Sequence, residues 1–262
     1  MLDAKATELE LVIAGRDFTI AQSPGILQSR RKGGTTGAAV WQTSVRVAEW
    51  LARPPVGFTQ LDILNPERSV LELGSGISGL VPCVLASRVK SVIATDQSHL
   101  LKGLRENIEA NSAVRWKPMD GKPSKRNASR RVDREASDNI TVRALDWEQD
   151  DIRGFMEGNG ILDGVDVVMA CDCIFNYALI EPFVTTCVDI CRLRQPSAGA
   201  GEEMRRPTVC IIAQQLRQSE VFDLWLQAAL RSFRVWRMPG GWLGEGLKER
   251  SGFVVHVCVL RE

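Results

Sequence analysis

Apolar residues fall into short runs along the chain, set apart by glycine, proline and charge. Runs at 69–73, 90–96, 140–145, 164–172 and 208–213 have strand length. The fourth is nearly continuous, as expected of a strand buried on both faces. Helical spacing fills 40–51, 78–88, 97–111, 178–194 and 219–232. In 40–51, Val40, Ser44, Val47 and Leu51 share one face, and Pro54-Pro55 ends the helix. Two further strands are predicted at 233–238 and 252–260. The gap between them is too short for a helical crossover, so they form an antiparallel hairpin. Its tip, 239–244, is expected at the mouth of the site. Residues 8–20 alternate around Gly15-Arg16 and predict a separate small hairpin. The result is an α/β chain: a seven-stranded sheet, mostly parallel with an antiparallel last strand, helices on both faces, and an N-terminal β-hairpin.

Bulk properties narrow the class. The 262 residues are 44% hydrophobic and 25% charged, in line with a globular protein that has a real core. A net charge of +1 gives no global electrostatic case for nucleic acid or an anionic membrane. The cysteines are seven, an odd number without a C-x-x-C pair, and mostly sit in apolar runs. They read as reduced core thiols of a cytoplasmic protein. With two histidines and no Cys/His cluster, no metal is expected. No apolar run is long enough to span a bilayer, and Met1-Leu2-Asp3-Ala4 does not begin a secretory signal. The segment 115–138 is basic, polar and nearly without aliphatics. It reads as an inserted loop, as does 195–206.

The candidate chemistry starts at Glu72-Leu73-Gly74-Ser75-Gly76-Ile77-Ser78-Gly79, a strand, a tight turn and a helix start, as in Rossmann-like folds. The G-x-G-x-x-G spacing alone is a weak dinucleotide signal. Glu72 at the strand tip disfavours a pyrophosphate there and suits a cationic ligand, such as the sulfonium and ammonium of S-adenosylmethionine. Asp96 ends the second strand 22 residues beyond Gly74, the spacing of a carboxylate that holds an adenosine ribose; a helix N-cap is the competing reading. Trp147 follows the third strand and either stacks on adenine or covers the sheet edge, with Asp146 near the exocyclic amine. Trp41 is either core or a lid over the cofactor.

These features together resemble the class I, seven-strand S-adenosylmethionine-dependent methyltransferases over about residues 40–262. Asp172-Cys173-Ile174-Phe175 is similar to the D-x-x-Y/F signature of the family-16 protein lysine methyltransferases, as are Val40-Trp41 and Asp146-Trp147. Residues 172–183 resemble the members that act on ribosomes. The resemblance implies S-adenosylmethionine as cofactor and a monomer in the cytoplasm. It also implies a lysine on a large-subunit ribosomal protein of the L1 type as acceptor. Chaperones, elongation factors and small molecules stay open as acceptors. It divides the chain into 1–37, hairpin and loop, and 38–262, the methyltransferase domain. Glu72, Gly74, Gly76 and Ala170 would face the methionine end, Asp172 would orient the lysine amine, and Phe175 would wall its channel. A NAD-dependent oxidoreductase and a non-catalytic binding module are the rivals.

Overall fold

The computed structural model describes residues 1–29, 34–112, 138–194 and 206–261. The chain runs through β1 (Glu8–Ile13), β2 (Arg16–Ala21), α1 (Pro24–Leu27), α2 (Gln42–Ala52) and α3 (Val56–Thr59). It continues through β3 (Ser69–Leu73), α4 (Leu80–Leu85), β4 (Ser91–Asp96), α5 (Leu101–Ser112), β5 (Ile140–Ala144) and α6 (Ile152–Gly158). It ends with β6 (Val167–Cys171), α7 (Ile180–Arg192), β7 (Val209–Gln215), α8 (Ser219–Ser232), β8 (Phe233–Arg237) and β9 (Phe253–Leu260).

Seven strands form one sheet in the order β5-β4-β3-β6-β7-β9-β8. The first five in that order pair in parallel. The antiparallel last strand, β9, sits one place in from the edge, between β7 and β8. From β3 the chain moves outward to β4 and β5, then crosses back to β6. The β3/β6 boundary is therefore where the winding reverses, and a crevice opens beyond the carboxyl ends of these strands.

Side chains of alternate residues sort onto two cores. Val70, Met169 and Cys171 pack under α2, α4 and α5, whereas Leu71, Leu73, Val168 and Ala170 pack under α6, α7 and α8. All of β6 is buried, which explains its unbroken apolar run. All seven cysteines are free and buried. His256 is buried against Phe222 and Trp225, and burial beside Arg237 pushes its pKa down to about 4. It packs as a neutral ring. Among the described residues, no helix is long and apolar enough to cross a membrane.

Four local expectations change. In α2, Ser44 leaves the core face and turns to the crevice, while Thr43, Val45, Ala48 and Trp50 are buried. The helix expected over 78–88 begins only at Leu80, because Gly79 stands in a left-handed conformation before it, and ends at Leu85. The short α6 adds to the predicted elements, since it carries only Ile152, Phe155 and Met156 at helical spacing; Asp151 caps it by accepting from Gly154 N. Residues 30–33 and the two inserted loops lie outside the described residues, save Asp138 and Arg206 at the loop edges. The tip 239–244 packs on α2 and α3, where Trp242 O accepts from Trp50 Nε1 and the Trp242 ring lies over Gly57. None of its residues lines the crevice.

The N-terminal hairpin is tied to α5 by two asparagines one turn apart. Asn107 accepts from Ala21 N and donates to Ala21 O, both at 2.9 Å. Asn111 does the same for Thr19, at 3.0 and 2.9 Å. Their amides thus imitate a neighbouring strand along the free edge of β2. Asn107 also donates to Ile77 O at 2.6 Å, which fastens hairpin and glycine turn to one side chain. Ile13, Phe18 and Ile20 of the hairpin are buried in the same core as α2 and α4. Asn107→Ala strands these backbone groups in a buried setting and is expected to cost about 3 kcal/mol of stability. Urea unfolding would read this as a lower midpoint at unchanged slope; an unaltered midpoint would show that the amide carries no such load.

Candidate functional site

The crevice is built around the β3–α4 turn. Gly74 and Gly76 adopt φ of +67° and +61°. A Cβ on Gly74 would lie 2.6 Å from Cys173 Sγ, and one on Gly76 would lie 3.0 Å from Gly37 O. Left-handed backbone and close neighbours together demand glycine at both positions. The next three N–H groups leave the turn. Ser75 N donates to Thr95 O (3.0 Å), Gly76 N to Asp96 Oδ2 (2.7 Å) and Ile77 N to Gly37 O (2.8 Å). A dinucleotide turn keeps such groups free for pyrophosphate. Here the protein consumes them, which argues against the NAD reading on geometry.

Asp96 lines the crevice at the end of β4. Its oxygens accept from Gly76 N and Gln97 N, so it ties the strand end to the glycine turn and does not cap α5. Burial raises its pKa, opposed by those two N–H groups. Each oxygen retains a lone pair for hydroxyl donors. Leu145 N donates to Asp96 O at 3.0 Å and brings the β5–α6 loop alongside. Asp146 and Trp147 in that loop line the crevice. Trp147 stands edge-on to Phe183, with ring centroids 5.3 Å apart. Its buried Nε1 has no hydrogen-bond partner among the described residues.

Glu72 and Ala170 lie deeper than the wall. Glu72 is 2% exposed and accepts from Ser75 Oγ at 2.6 Å, so Ser75 stands between it and the open space. Burial pushes its pKa up to about 8. Ala170 is fully buried on the α6–α8 face.

Asp172 follows β6 with φ of +60°, a left-handed conformation unusual for a residue other than glycine, asparagine or aspartate. Its Oδ1 accepts from Gln215 N at 3.3 Å, and its Oδ2 pairs with Arg217 at 2.8 Å. Burial raises its pKa, and Arg217 opposes this. The Arg217 guanidinium also lies 4.6 Å over the Trp41 ring. Trp41 precedes α2, where its Nε1 donates to Thr36 O. Asp172, Trp41 and Phe175 all line the crevice. Cys171 and Cys173 line it too, and burial near carboxylates raises both thiols well above their usual range.

The structure thus brings together Trp41, Gly74, Gly76, Asp96, Asp146, Trp147, Asp172 and Phe175, and sets Glu72 and Ala170 behind them. Sequence reasoning missed Arg217 and Gly37. Arg217 had one signal, a cation two residues beyond the carboxyl end of β7. Gly37 had none apart from lying in a glycine-rich loop. Among the described residues, no group of three His, Cys, Asp or Glu is placed to hold a metal ion.

A family profile described as lysine methyltransferase matches residues 22–198, more than half of the chain. A protein of Schizosaccharomyces pombe named diaminohydroxyphosphoribosylamino-pyrimidine deaminase is 29% identical; the match covers 90% of this chain and 47% of that protein. The chain therefore spans about half the length of that relative. Ribosomal lysine N-methyltransferase 5 of Zygosaccharomyces rouxii is 29% identical over 84% of this chain and 72% of its own. Among solved structures, a TehB-like S-adenosylmethionine-dependent methyltransferase from Corynebacterium glutamicum aligns with a TM-score of 0.49 at 13% identity, covering 80% of this chain and 87% of its own. By the extent of the profile match, the chain belongs to the lysine methyltransferase family.

Proposed function

We propose that the chain transfers a methyl group from S-adenosylmethionine to a lysine side chain of a ribosomal protein, in the cytoplasm. The observation that carries this reading is Asp172, held in a left-handed turn at the switch point with its carboxylate against Arg217, where the crevice opens. The Zygosaccharomyces rouxii relative supports a ribosomal acceptor, and a large-subunit protein of the L1 type is the first to try. The deaminase named for the Schizosaccharomyces pombe relative does not carry over. Zinc deaminases need a His/Cys/Cys set with a C-x-x-C pair, and this sequence has two histidines and no such pair.

S-adenosylmethionine supplies a sulfonium-bound methyl open to in-line attack by an amine, so alignment carries much of the barrier reduction. The residues present fit it. Asp96 would accept from the ribose hydroxyls, and Trp147 would flank the adenine with Asp146 beside it. The turn at Gly74 and Gly76 would lie along the methionine end. Glu72 beneath Ser75 would gain charge as a cation settles above it, since an opposite charge favours the ionised form. On the acceptor side, the Arg217 charge disfavours an ammonium nearby and so favours the neutral, nucleophilic amine. Asp172 would accept a hydrogen bond from that amine and fix its direction. Lysine would enter already neutral, its proton lost to bulk solvent beforehand, and the methylated amine would leave as an ammonium, so Asp172 is not required to act as a base. Trp41 and Phe175 would enclose the side chain.

Asp96→Ala is expected to weaken S-adenosylmethionine binding by about 10- to 100-fold in calorimetry, the worth of its charge-assisted hydrogen bonds. Binding at wild-type strength would remove the ribose assignment. Asp172→Asn keeps a residue that tolerates left-handed backbone. It should lower turnover by about 10²-fold through lost alignment while S-adenosylmethionine affinity holds; parallel loss of both would move Asp172 to the cofactor side. Transfer of labelled methyl into a ribosomal-protein extract, followed by mass spectrometry, tests the acceptor class.

Glu72 gives a pH test in the absence of ligand. Its folded pKa of about 8 exceeds the ordinary 4.5, so the folded state binds more protons between these values. Stability is then fully present below that window and falls as pH rises through it. Glu72→Gln, which keeps the shape and cannot ionise, should flatten the decline in melting temperature between about pH 5 and 8. A decline as steep as in wild type would show that Glu72 does not carry it.

A further inference from the structure

Across Phe175 from the crevice lies a second pocket, between the end of β7 and the start of α8. Ile174, Phe175, Val221 and Phe222 make its apolar walls, and Gln214, Gln215, Arg217 and Gln218 supply its polar atoms. Phe175 borders both spaces, and Arg217 joins them through Asp172 and Trp41. One side chain of this lining stands out. Gln214 is 3% exposed, and its Oε1 accepts no hydrogen bond among the described residues. A buried amide oxygen without a donor costs about 1–3 kcal/mol, a cost that an arriving donor relieves.

We infer that this pocket is the subsite for the acceptor segment flanking the target lysine, and that it takes a neutral hydrogen-bond donor on an apolar stem. The inference rests on the lysine-transfer reading above, since it assigns the neighbouring space to the lysine itself. Three features of the lining select this ligand. Gln214 Oε1 calls for an N–H or O–H, so a carboxylate at that atom is refused. No acidic side chain lines the pocket and Arg217 stands at its edge, so a cation is refused as well. The charge of Arg217 is already engaged by Asp172 at 2.8 Å, which leaves hydrogen bonding and apolar contact to Phe222 and Val221 as the means of recognition. A main-chain N–H, a hydroxyl or an amide of the acceptor meets these terms. Because Gln215 N donates to Asp172, a ligand seated here bears on the same segment that orients Asp172.

The test uses the full chain and, as probe, a synthetic peptide spanning the lysine that wild type labels in a ribosomal-protein extract. Gln214→Met keeps the volume and removes the acceptor. It should raise KM for the peptide about tenfold, with kcat, S-adenosylmethionine affinity and melting temperature near wild type. Gln218→Trp changes an exposed residue at the rim and should raise KM further by obstructing entry, without disturbing the core. Replacing the flanking donor residue in the peptide by alanine should penalise wild type and leave Gln214→Met indifferent. Unchanged KM in both variants, or a fall in kcat alone, overturns the subsite. If wild type binds S-adenosylmethionine but labels no lysine in ribosomal or other protein extracts, the lysine-transfer reading falls and takes this assignment with it.

Discussion

Three consecutive backbone N–H groups, those of Ser75, Gly76 and Ile77, must find partners while the chain turns left-handed between β3 and α4. They find them in three separate places: the end of β4, the Asp96 carboxylate and the 34–39 loop. That requirement fixes much else. It holds Asp96 facing inward, draws Gly37 within 3.0 Å of where a Cβ on Gly76 would stand, and sets the height of the loop that leads into Trp41 and α2. Asn107 reaches the same turn from α5 through Ile77 O and carries the linkage out to the hairpin. A buried backbone group without a partner is costly, so these segments are placed by necessity and not by surface preference.

Charge is distributed unevenly around the crevice. Glu72 and Asp96 accept hydrogen bonds from neutral groups, and both are raised in pKa by burial. Asp172 alone of the three is paired with a guanidinium. The inner end is thus short of positive charge and the outer end is balanced. A cationic ligand relieves the first; an amine entering past the second meets a carboxylate already shared with Arg217. Under the proposed transfer, donor and acceptor would meet different electrostatics at the two ends.

The mostly parallel seven-stranded sheet and its antiparallel last strand were legible because strand length, helical spacing and the short 239–251 connection leave few right-handed arrangements. Gly74, Asp96, Trp147 and Asp172 could be placed because each sits at the carboxyl end of a strand, where topology fixes position. Depth could not be read. Glu72 and Asp96 look alike as acids at strand ends, yet one lies under Ser75 and the other faces the crevice. Nor could partners distant in sequence, such as Arg217 on Trp41 or Asn107 on Ala21, because neither breaks a local pattern. The seven-residue α6 failed for a different reason: three apolar positions are too few to establish a period.

The two cysteines in the crevice have a consequence for chemical selectivity. Sulfur attacks as the thiolate, not the thiol, and a thiolate beside an activated methyl would compete with any incoming amine. Cys171 and Cys173 line the crevice where the proposed transfer would occur, but burial and the adjacent Glu72 and Asp172 keep both protonated. Cys173 further commits its S–H toward Leu73 O at 3.1 Å. If the crevice carries out the proposed transfer, the same acids that suit it to a cation would keep its own sulfurs from becoming methyl acceptors, and the protein would be spared modification by its own chemistry.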